Sequence, residues 1–267
     1  MNKTPAKSVL VLYSLLPPEM EALAEHFEVI RPQRGDDLNA LLYERKHNIV
    51  AVVAAPGRPV RRELIEALPN LEIIANFSVG FDHVDLQAAR ERGIAVTNTP
   101  DVLTDDTADT ALALILATAR RIVESDMIVR VGRWGKNPTS LGVSLKDKRV
   151  GIVGLGRIGR AIATRCEAFG MSIAYHNPRL KDDVTYRYFD DLKDLARNSD
   201  FLVLACPASP ATENMIDYSV LEALGAKGFL INIARGSVVK EEDLLAALSN
   251  KIIAGAGLDV YANEPNV

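Results

Sequence analysis

Apolar residues along this chain come in short bunches, and stretches of helical spacing separate one bunch from the next. Runs rich in Val, Ile, Leu and Ala stand at residues 9–13, 49–54, 73–77 and 95–97. They return at 149–153, 172–176, 201–205, 229–233 and 252–258, with a shorter candidate at 185–189. Runs of this length bounded by turn residues predict strands, and their near-continuous apolar character suits parallel sheets covered on both faces. Helical patterns fit 19–27, 37–44, 61–68 and 85–92 between the first strands, then 159–169, 192–197, 219–224 and 241–249 between the later ones. Strands that alternate with helices predict an α/β protein.

Asn98-Thr99-Pro100-Asp101 is turn chemistry and marks the expected boundary between two doubly wound parallel-sheet domains, residues 1–99 and 100–267. After it, Thr104 with Asp105 and Asp106 reads as a helix start, because acidic side chains suit the positive end of the helix dipole. The helix predicted there runs to about Val123 and is apolar nearly all round between Ala111 and Ala117. Such a helix is buried on several sides, and it is expected between the two domains or in a subunit interface. A ligand cleft is expected between the domains at the strand ends.

Composition narrows the function classes. A chain of 267 residues is comfortable for two domains, and its 48% hydrophobic and 25% charged residues are ordinary for a soluble protein. A net charge of −4 makes no electrostatic case for nucleic acid or an anionic membrane. The longest apolar run, 111–117, is too short to span a bilayer. Residues 1–5 lead straight into the first predicted strand with no apolar signal region, so the expected location is the cytoplasm. Cys166 and Cys206 form no metal-spaced cluster and read as buried thiols in a reducing compartment; no metal is expected.

The strongest chemical signal is Arg149 to Gly170, RVGIVGLGRIGRAIATRCEAFG. A strand runs into Gly154-Leu155-Gly156-Arg157-Ile158-Gly159 and a helix follows, the context that turns three glycines into a dinucleotide fingerprint. Gly154 permits a tight turn, Gly156 lets backbone approach a pyrophosphate, and Gly159 lets helix and strand pack closely. The helix N-terminus then offers N–H groups to the anion. At the end of the next strand an NAD-binding protein usually carries an acid for the ribose 2′-OH. Here the segment reads Tyr175-His176-Asn177-Pro178-Arg179-Leu180-Lys181, with no carboxylate before Asp182. Arg179 and Lys181 suit a 2′-phosphate, and Asn177 can bond at the ribose edge, so NADP(H) is expected over NAD(H). Arg179 also fits a solvated loop residue.

Reduction of a keto acid needs a cation for the carboxylate and carbonyl, a proton donor, and exclusion of water. Arg235 follows an apolar strand, where its planar fork would face a ligand, though taken alone an Arg at a strand end is more often a surface ion-pair residue. Asp259 and Glu264 lie at and beyond another strand end and, taken alone, fit ordinary solvated acids. None of His26, His47, His83 and His176 stands out as the proton donor.

Across essentially its whole length the chain resembles the D-isomer-specific 2-hydroxyacid dehydrogenase family. Ser78-Val79-Gly80-Phe81-Asp82-His83-Val84-Asp85 is similar to the family's substrate loop, and residues 98–109 to its hinge and interdomain helix. The resemblance implies a flavodoxin-like substrate domain joined to a Rossmann cofactor domain. It assigns substrate binding to Ser78, Val79, Gly80 and Arg235, with Arg235 also the catalytic arginine and Glu264 the acid that tunes a catalytic histidine. It assigns the cofactor to Thr107, the 154–159 loop, Asn177, Arg179, Cys206, Pro207, Thr212, Ile233 and Asp259. Residues 76–80 and 100–109 resemble glyoxylate, hydroxypyruvate and hydroxyphenylpyruvate reductases, which generally prefer NADPH. A homodimer through the cofactor domain is implied, with the Arg133-Trp134-Gly135 loop a reasonable part of its interface.

One departure stands out. The family's proton-donating histidine lies in a Pro-His-x-Gly pattern beyond the glutamate that matches Glu264, and this sequence stops at Val267. The expectation is therefore a piece of a longer enzyme, lacking its last strand and closing helix. The alternative is a non-catalytic NADP(H)-binding sensor or interaction protein.

Overall fold

The fully apolar runs become central strands, and the glycine- and proline-punctuated segments become the turns at their ends. The computed structural model describes residues 7–13, 15–33, 36, 38–136 and 140–264. It divides into two compact units, Met1–Val102 and Leu103–Val267.

In the first unit the order is β1 (Ser8–Val11), α1 (Pro17–Ala24), β2 (Glu28–Ile30), α2 (Leu38–Arg45), β3 (Ile49–Ala54), α3 (Arg62–Ala67), β4 (Ile73–Asn76), α4 (Leu86–Glu91) and β5 (Ala95–Thr97). The sheet is parallel with strand order β2-β1-β3-β4-β5. Its main core gathers Leu10, Ile49, Val52, Ile65, Leu68 and Ile74 on one face, and a smaller cluster around Val9, Val11 and Val53 fills the other. Strand β2 escapes the sequence reading because its three residues hold one exposed, one half-buried and one buried position. It is an edge strand with no continuous apolar run. Asp37, the predicted start of the second helix, and residues 1–5 lie outside the described residues.

The second unit begins with α5 (Thr104–Ala119) and α6 (Ile122–Arg130). It continues with β6 (Arg149–Val153), α7 (Arg157–Ala168), β7 (Ser172–His176), β8 (Arg187–Tyr188), α8 (Leu192–Arg197), β9 (Phe201–Leu204), α9 (Tyr218–Leu224), β10 (Phe229–Asn232), a single 3-10 turn at Gly236–Val238, α10 (Glu241–Ser249) and β11 (Gly255–Leu258). All pairings in its sheet are parallel, in the order β11-β10-β9-β6-β7-β8. Two doubly wound parallel sheets are thus the architecture.

The predicted long helix needs correction. It ends at Ala119, where Arg121 takes a left-handed φ of 55°, and a separate helix α6 follows. The apolar face of α5 also belongs to the second unit's own core: Ala108, Ala111, Ile115 and Ala119 are buried with Val150, Ile162 and Ile231. Small alanines let α5 approach its neighbours closely, so its low polarity is consumed inside the unit. Both cysteines are free and buried, and burial pushes the Cys166 thiol up to about 12 and that of Cys206 up to about 11. Among the described residues no helix is long and apolar enough to cross a membrane, and no acid, His or Cys cluster could hold a metal ion.

Candidate substrate and cofactor sites

In the first unit, the segment after β4 is held from the inside. Asn76, the last residue of the strand, is 2% exposed, and its amide donates to the Ser78 carbonyl at 3.1 Å and the Gly80 carbonyl at 2.8 Å. The Thr99 N–H also donates to the Ser78 carbonyl at 3.1 Å, and Asn98 Nδ2 donates to the Val79 carbonyl at 3.0 Å. Asn76 Oδ1 in turn bonds buried His83 Nε2 at 2.7 Å. All three carbonyls of Ser78, Val79 and Gly80 are therefore spent, while their three N–H groups have no partner among the described residues. A run of unpaired backbone N–H groups is an anion cradle. Each charge-assisted bond it offers to a carboxylate contributes about 1.5–3 kcal/mol.

In the second unit, the corresponding loop follows β6 at the point where the sheet reverses direction, between β6 and β9. Gly154 has φ +100°, and a side chain there would meet the Cys206 backbone N at 2.6 Å. A Cβ on Gly159 would come within 2.2 Å of the Gly154 carbonyl oxygen. Around Gly156, by contrast, a Cβ would meet nothing within 4 Å, and this residue caps α7 without a side chain. Two of the glycines are demanded by packing; the third leaves open the space before the helix N-terminus. That arrangement fits a dinucleotide pyrophosphate.

The neighbouring residues divide into those that build this loop and those that face solvent. Asn177 is buried, and its Oδ1 accepts from the Leu155 N–H at 2.8 Å. Its carbonyl therefore braces the glycine loop, which the sequence reading did not foresee when it placed Asn177 at the ribose edge. Arg179 is exposed and makes no ion pair among the described residues. Leu155 is fully buried, Ile158 is half-buried, and Arg157 is exposed at the start of α7. Cys206 packs against Gly154, and Thr212 folds the 207–212 turn by donating to the Pro207 carbonyl at 2.9 Å and accepting from the Ser209 N–H at 2.8 Å. Thr107, half-buried, lies on α5 between Asp105 and Asp109. Both acids bond Arg165 of α7, at 3.0 and 2.5 Å, so Thr107 is fixed relative to the cofactor helix.

Arg235 is half-buried, with Nη1 donating to the Ala234 carbonyl at 2.7 Å. Asn232, 1% exposed at the end of β10, shapes its turn by donating to the Arg235 carbonyl and accepting from the Ala234 N–H, both at 3.0 Å. The Asp259 N–H donates to the Asn232 carbonyl at 2.9 Å, and a Cβ on Gly236 would strike Tyr261. Arg235 and the 259–264 segment are thereby neighbours. Asp259 and Glu264 are both exposed, and Glu264 accepts from the Tyr261 N–H at 2.6 Å, bracing its own turn. Ile233 is buried beneath.

Three residues that the sequence reading passed over organise these loops: Asn76, His83 and Asn232. Asn76 and Asn232 are marked only as polar residues at the end of an apolar strand, a pattern too common to single them out, and His83 only as one of four histidines.

Comparison with known proteins gives the family. Residues 112–267 match the model of the D-isomer specific 2-hydroxyacid dehydrogenase NAD binding domain. A glyoxylate/hydroxypyruvate reductase A of Arabidopsis thaliana is 47% identical over 245 residues, which is 92% of this chain and 78% of that protein. A glyoxylate reductase of Thermococcus kodakarensis is 43% identical over 256 residues, 92% of this chain and 77% of the other. Among solved structures, an NADPH-dependent glyoxylate/hydroxypyruvate reductase of Sinorhizobium meliloti in complex with NADP and malonate is similar with a TM-score of 0.91 and 44% identity, covering 98% of this chain and 82% of that one. The glycine loop with its open Gly156, the strand order around it and these likenesses agree, and the chain belongs to the D-isomer-specific 2-hydroxyacid dehydrogenase family as a nicotinamide-dinucleotide-binding oxidoreductase.

Proposed function

We propose that this protein reduces a small 2-oxo acid, glyoxylate or hydroxypyruvate, to the D-2-hydroxy acid with NADPH. The observation that carries this reading is the loop at Ser78, Val79 and Gly80, with every carbonyl consumed and, among the described residues, no partner on any of the three N–H groups. The reductase relatives support the substrate class. When bound, the reduced nicotinamide would supply the hydride, and the alkoxide left on the substrate takes up a proton, which the family delivers from a histidine beyond the stretch that matches Glu264. Backbone N–H groups of Val79 and Gly80 hold the acid, and the Arg235 guanidinium steadies charge as it develops on the carbonyl oxygen. Gly154, Gly156 and Gly159 admit the pyrophosphate, while Thr107 and Asp259 attend the nicotinamide end, with Cys206, Pro207, Thr212 and Ile233 lining the way. Cys206 stays a neutral thiol there, since burial holds it protonated.

The choice of NADPH rests on Arg179, exposed on the loop after β7 and without an ion pair among the described residues, with Lys181 nearby and no acid before Asp182. A homodimer through the second unit belongs to the same reading. Helix α6 buries none of its residues, and Ile122, Val123, Met127, Val129 and the nearby Trp134 present an exposed apolar surface.

The test is steady-state reduction of glyoxylate and hydroxypyruvate with NADPH and with NADH. Turnover with NADPH, abolished in Arg235→Ala while NADPH still binds, is the expected result. Cofactor binding without turnover of either acid would replace the reductase by a non-catalytic NADP(H)-binding protein.

A further inference from the structure

The loop after β7, residues 177–183, is exposed at Arg179 and Leu180, yet it is anchored at its start, middle and end. At its start, Asn177 accepts from the Leu155 N–H through its side chain and from the Tyr188 hydroxyl, at 3.1 Å, through its backbone carbonyl. In its middle, the Lys181 N–H donates to the Tyr175 hydroxyl at 2.8 Å, and that hydroxyl faces the Lys181 carbonyl at 3.5 Å. At its end, Asp183 accepts from Arg160 Nη2 at 2.8 Å, a pairing that holds the Asp183 carboxyl below the usual carboxylate range. Arg179, between the first two anchors, makes no ion pair among the described residues.

Tyr175 is the informative anchor. It is fully buried in the core cluster that holds Ile152 and Ile162. An apolar ring is what this place on β7 asks for, and phenylalanine would supply one. A buried hydroxyl adds a cost unless it finds a partner. Here it is met by the backbone of one residue, six positions on, in an exposed loop. Tyr188 repeats the pattern from the neighbouring strand. It stands opposite Tyr175 in the β7–β8 register, with ring centroids 5.4 Å apart, and sends its hydroxyl to Asn177. Two tyrosine hydroxyls thus fix the backbone on either side of Arg179.

A loop that offers cations to a phosphate loses binding energy when it must be ordered at the moment of binding. Ordering it in advance favours the ligand that carries the phosphate. We propose that Tyr175, seconded by Tyr188, is a positioning residue for cofactor selection: its hydroxyl fixes the 177–183 loop so that Arg179 and Lys181 stand ready for the 2′-phosphate of NADPH. It acts through the Lys181 backbone. The proposal rests on the NADPH reading above and deepens it, since selectivity is then set by a side chain in the core as well as by cations on the surface.

The experiment measures Kd for NADPH and for NADH by calorimetry, and its readout is the preference, the ratio of the two. In Tyr175→Phe the preference is expected to fall about 5- to 10-fold through weaker NADPH binding, with NADH affinity kept within about twofold. A merely structural role would weaken both cofactors alike, or neither. Tyr188→Phe, on the short edge strand, should lower the preference in the same direction by a smaller factor, and it decides the matter if Tyr175→Phe does not fold. Arg179→Ala combined with Lys181→Ala should lower the preference about 10- to 100-fold. Adding Tyr175→Phe to that pair should change it by less than about twofold, because no cations are left to position. If the alanine pair lowers the preference while both phenylalanine variants leave it within about twofold, the proposal is overturned and the NADPH reading stands. If the wild type shows no preference, or the alanine pair leaves it unchanged, the NADPH reading fails and the proposal falls with it.

Discussion

After β6 the backbone of residues 154–159 keeps its course because side chains are missing; after β4 the backbone of residues 77–80 keeps its course because a side chain, that of Asn76, fills the inside. Both loops leave N–H groups available to an anion. In the first, Gly154 and Gly159 remove atoms that would collide with Cys206 and with the loop's own carbonyl, and the cost of a side chain is steric. In the second, carbonyls are drawn inward by Asn76, Asn98 and Thr99, and the cost of a substitution is an unmade hydrogen bond. The same chemical result is thus reached through shape in one unit and through polar pairing in the other.

The sharpest way to break that comparison is to add one methyl group at each glycine. Gly159→Ala places a Cβ within 2.2 Å of a backbone oxygen that cannot swing aside. Overpacking of this kind costs about 1–3 kcal/mol or more, and the melting temperature should fall by several degrees along with NADPH affinity. Gly156→Ala meets nothing within 4 Å and should melt close to the wild type while binding NADPH at least tenfold more weakly, because the methyl stands where the pyrophosphate comes close. If Gly156→Ala binds NADPH as the wild type does, no phosphate approaches that residue.

Asn76 provides the matching test in the other unit. Asn76→Ala removes two donations to the loop and leaves buried His83 without this partner, a loss of about 1–3 kcal/mol in denaturant unfolding. KM for the 2-oxo acid should rise at least tenfold, with NADPH affinity unchanged. Asn76→Asp keeps an acceptor for His83 but sets a buried carboxylate oxygen against the Ser78 and Gly80 carbonyls, so it should regain neither stability nor KM. Recovery of both would mean that the loop does not depend on the donated bonds.

Charge on the cofactor side comes next in size. Arg179→Asp should lower the NADPH-to-NADH ratio of kcat/KM about 10-fold or more by replacing a phosphate partner with a repelling carboxylate. An unchanged ratio would return Arg179 to the role of a solvated loop residue. The smallest effect on catalysis is expected from Met127→Glu on the exposed face of α6. It should convert a dimer to monomer in sedimentation while each subunit keeps its NADPH affinity. A monomeric wild type would remove the dimer from the reading.

How far these features could be read in advance follows from what each one requires. Strand β6 was legible to the residue because Val150, Ile152 and Val153 are apolar and buried, β7 because it is the second strand of the dinucleotide unit that the glycine loop opens, and the loop because its spacing is dictated by residue type. Edge strand β2, with one buried residue, carried no such signal. The break at Arg121 was equally hidden, since a non-glycine residue in the left-handed region leaves no mark in an apolar pattern. Ser78, Val79 and Gly80 were legible only through family resemblance, because any residue can offer a backbone N–H.

By itself, then, the sequence determined the α/β class, the positions of the buried strands and the dinucleotide loop, since periodicity and the absence of a Cβ are properties of consecutive residues. Only the tertiary structure decided that Asn76 and His83 organise the substrate-side loop, that Asn177 spends its carbonyl on Leu155, and that α5 is consumed within the second unit's core. Those outcomes depend on which distant groups arrive within hydrogen-bonding or packing distance, and chain order alone does not set that distance.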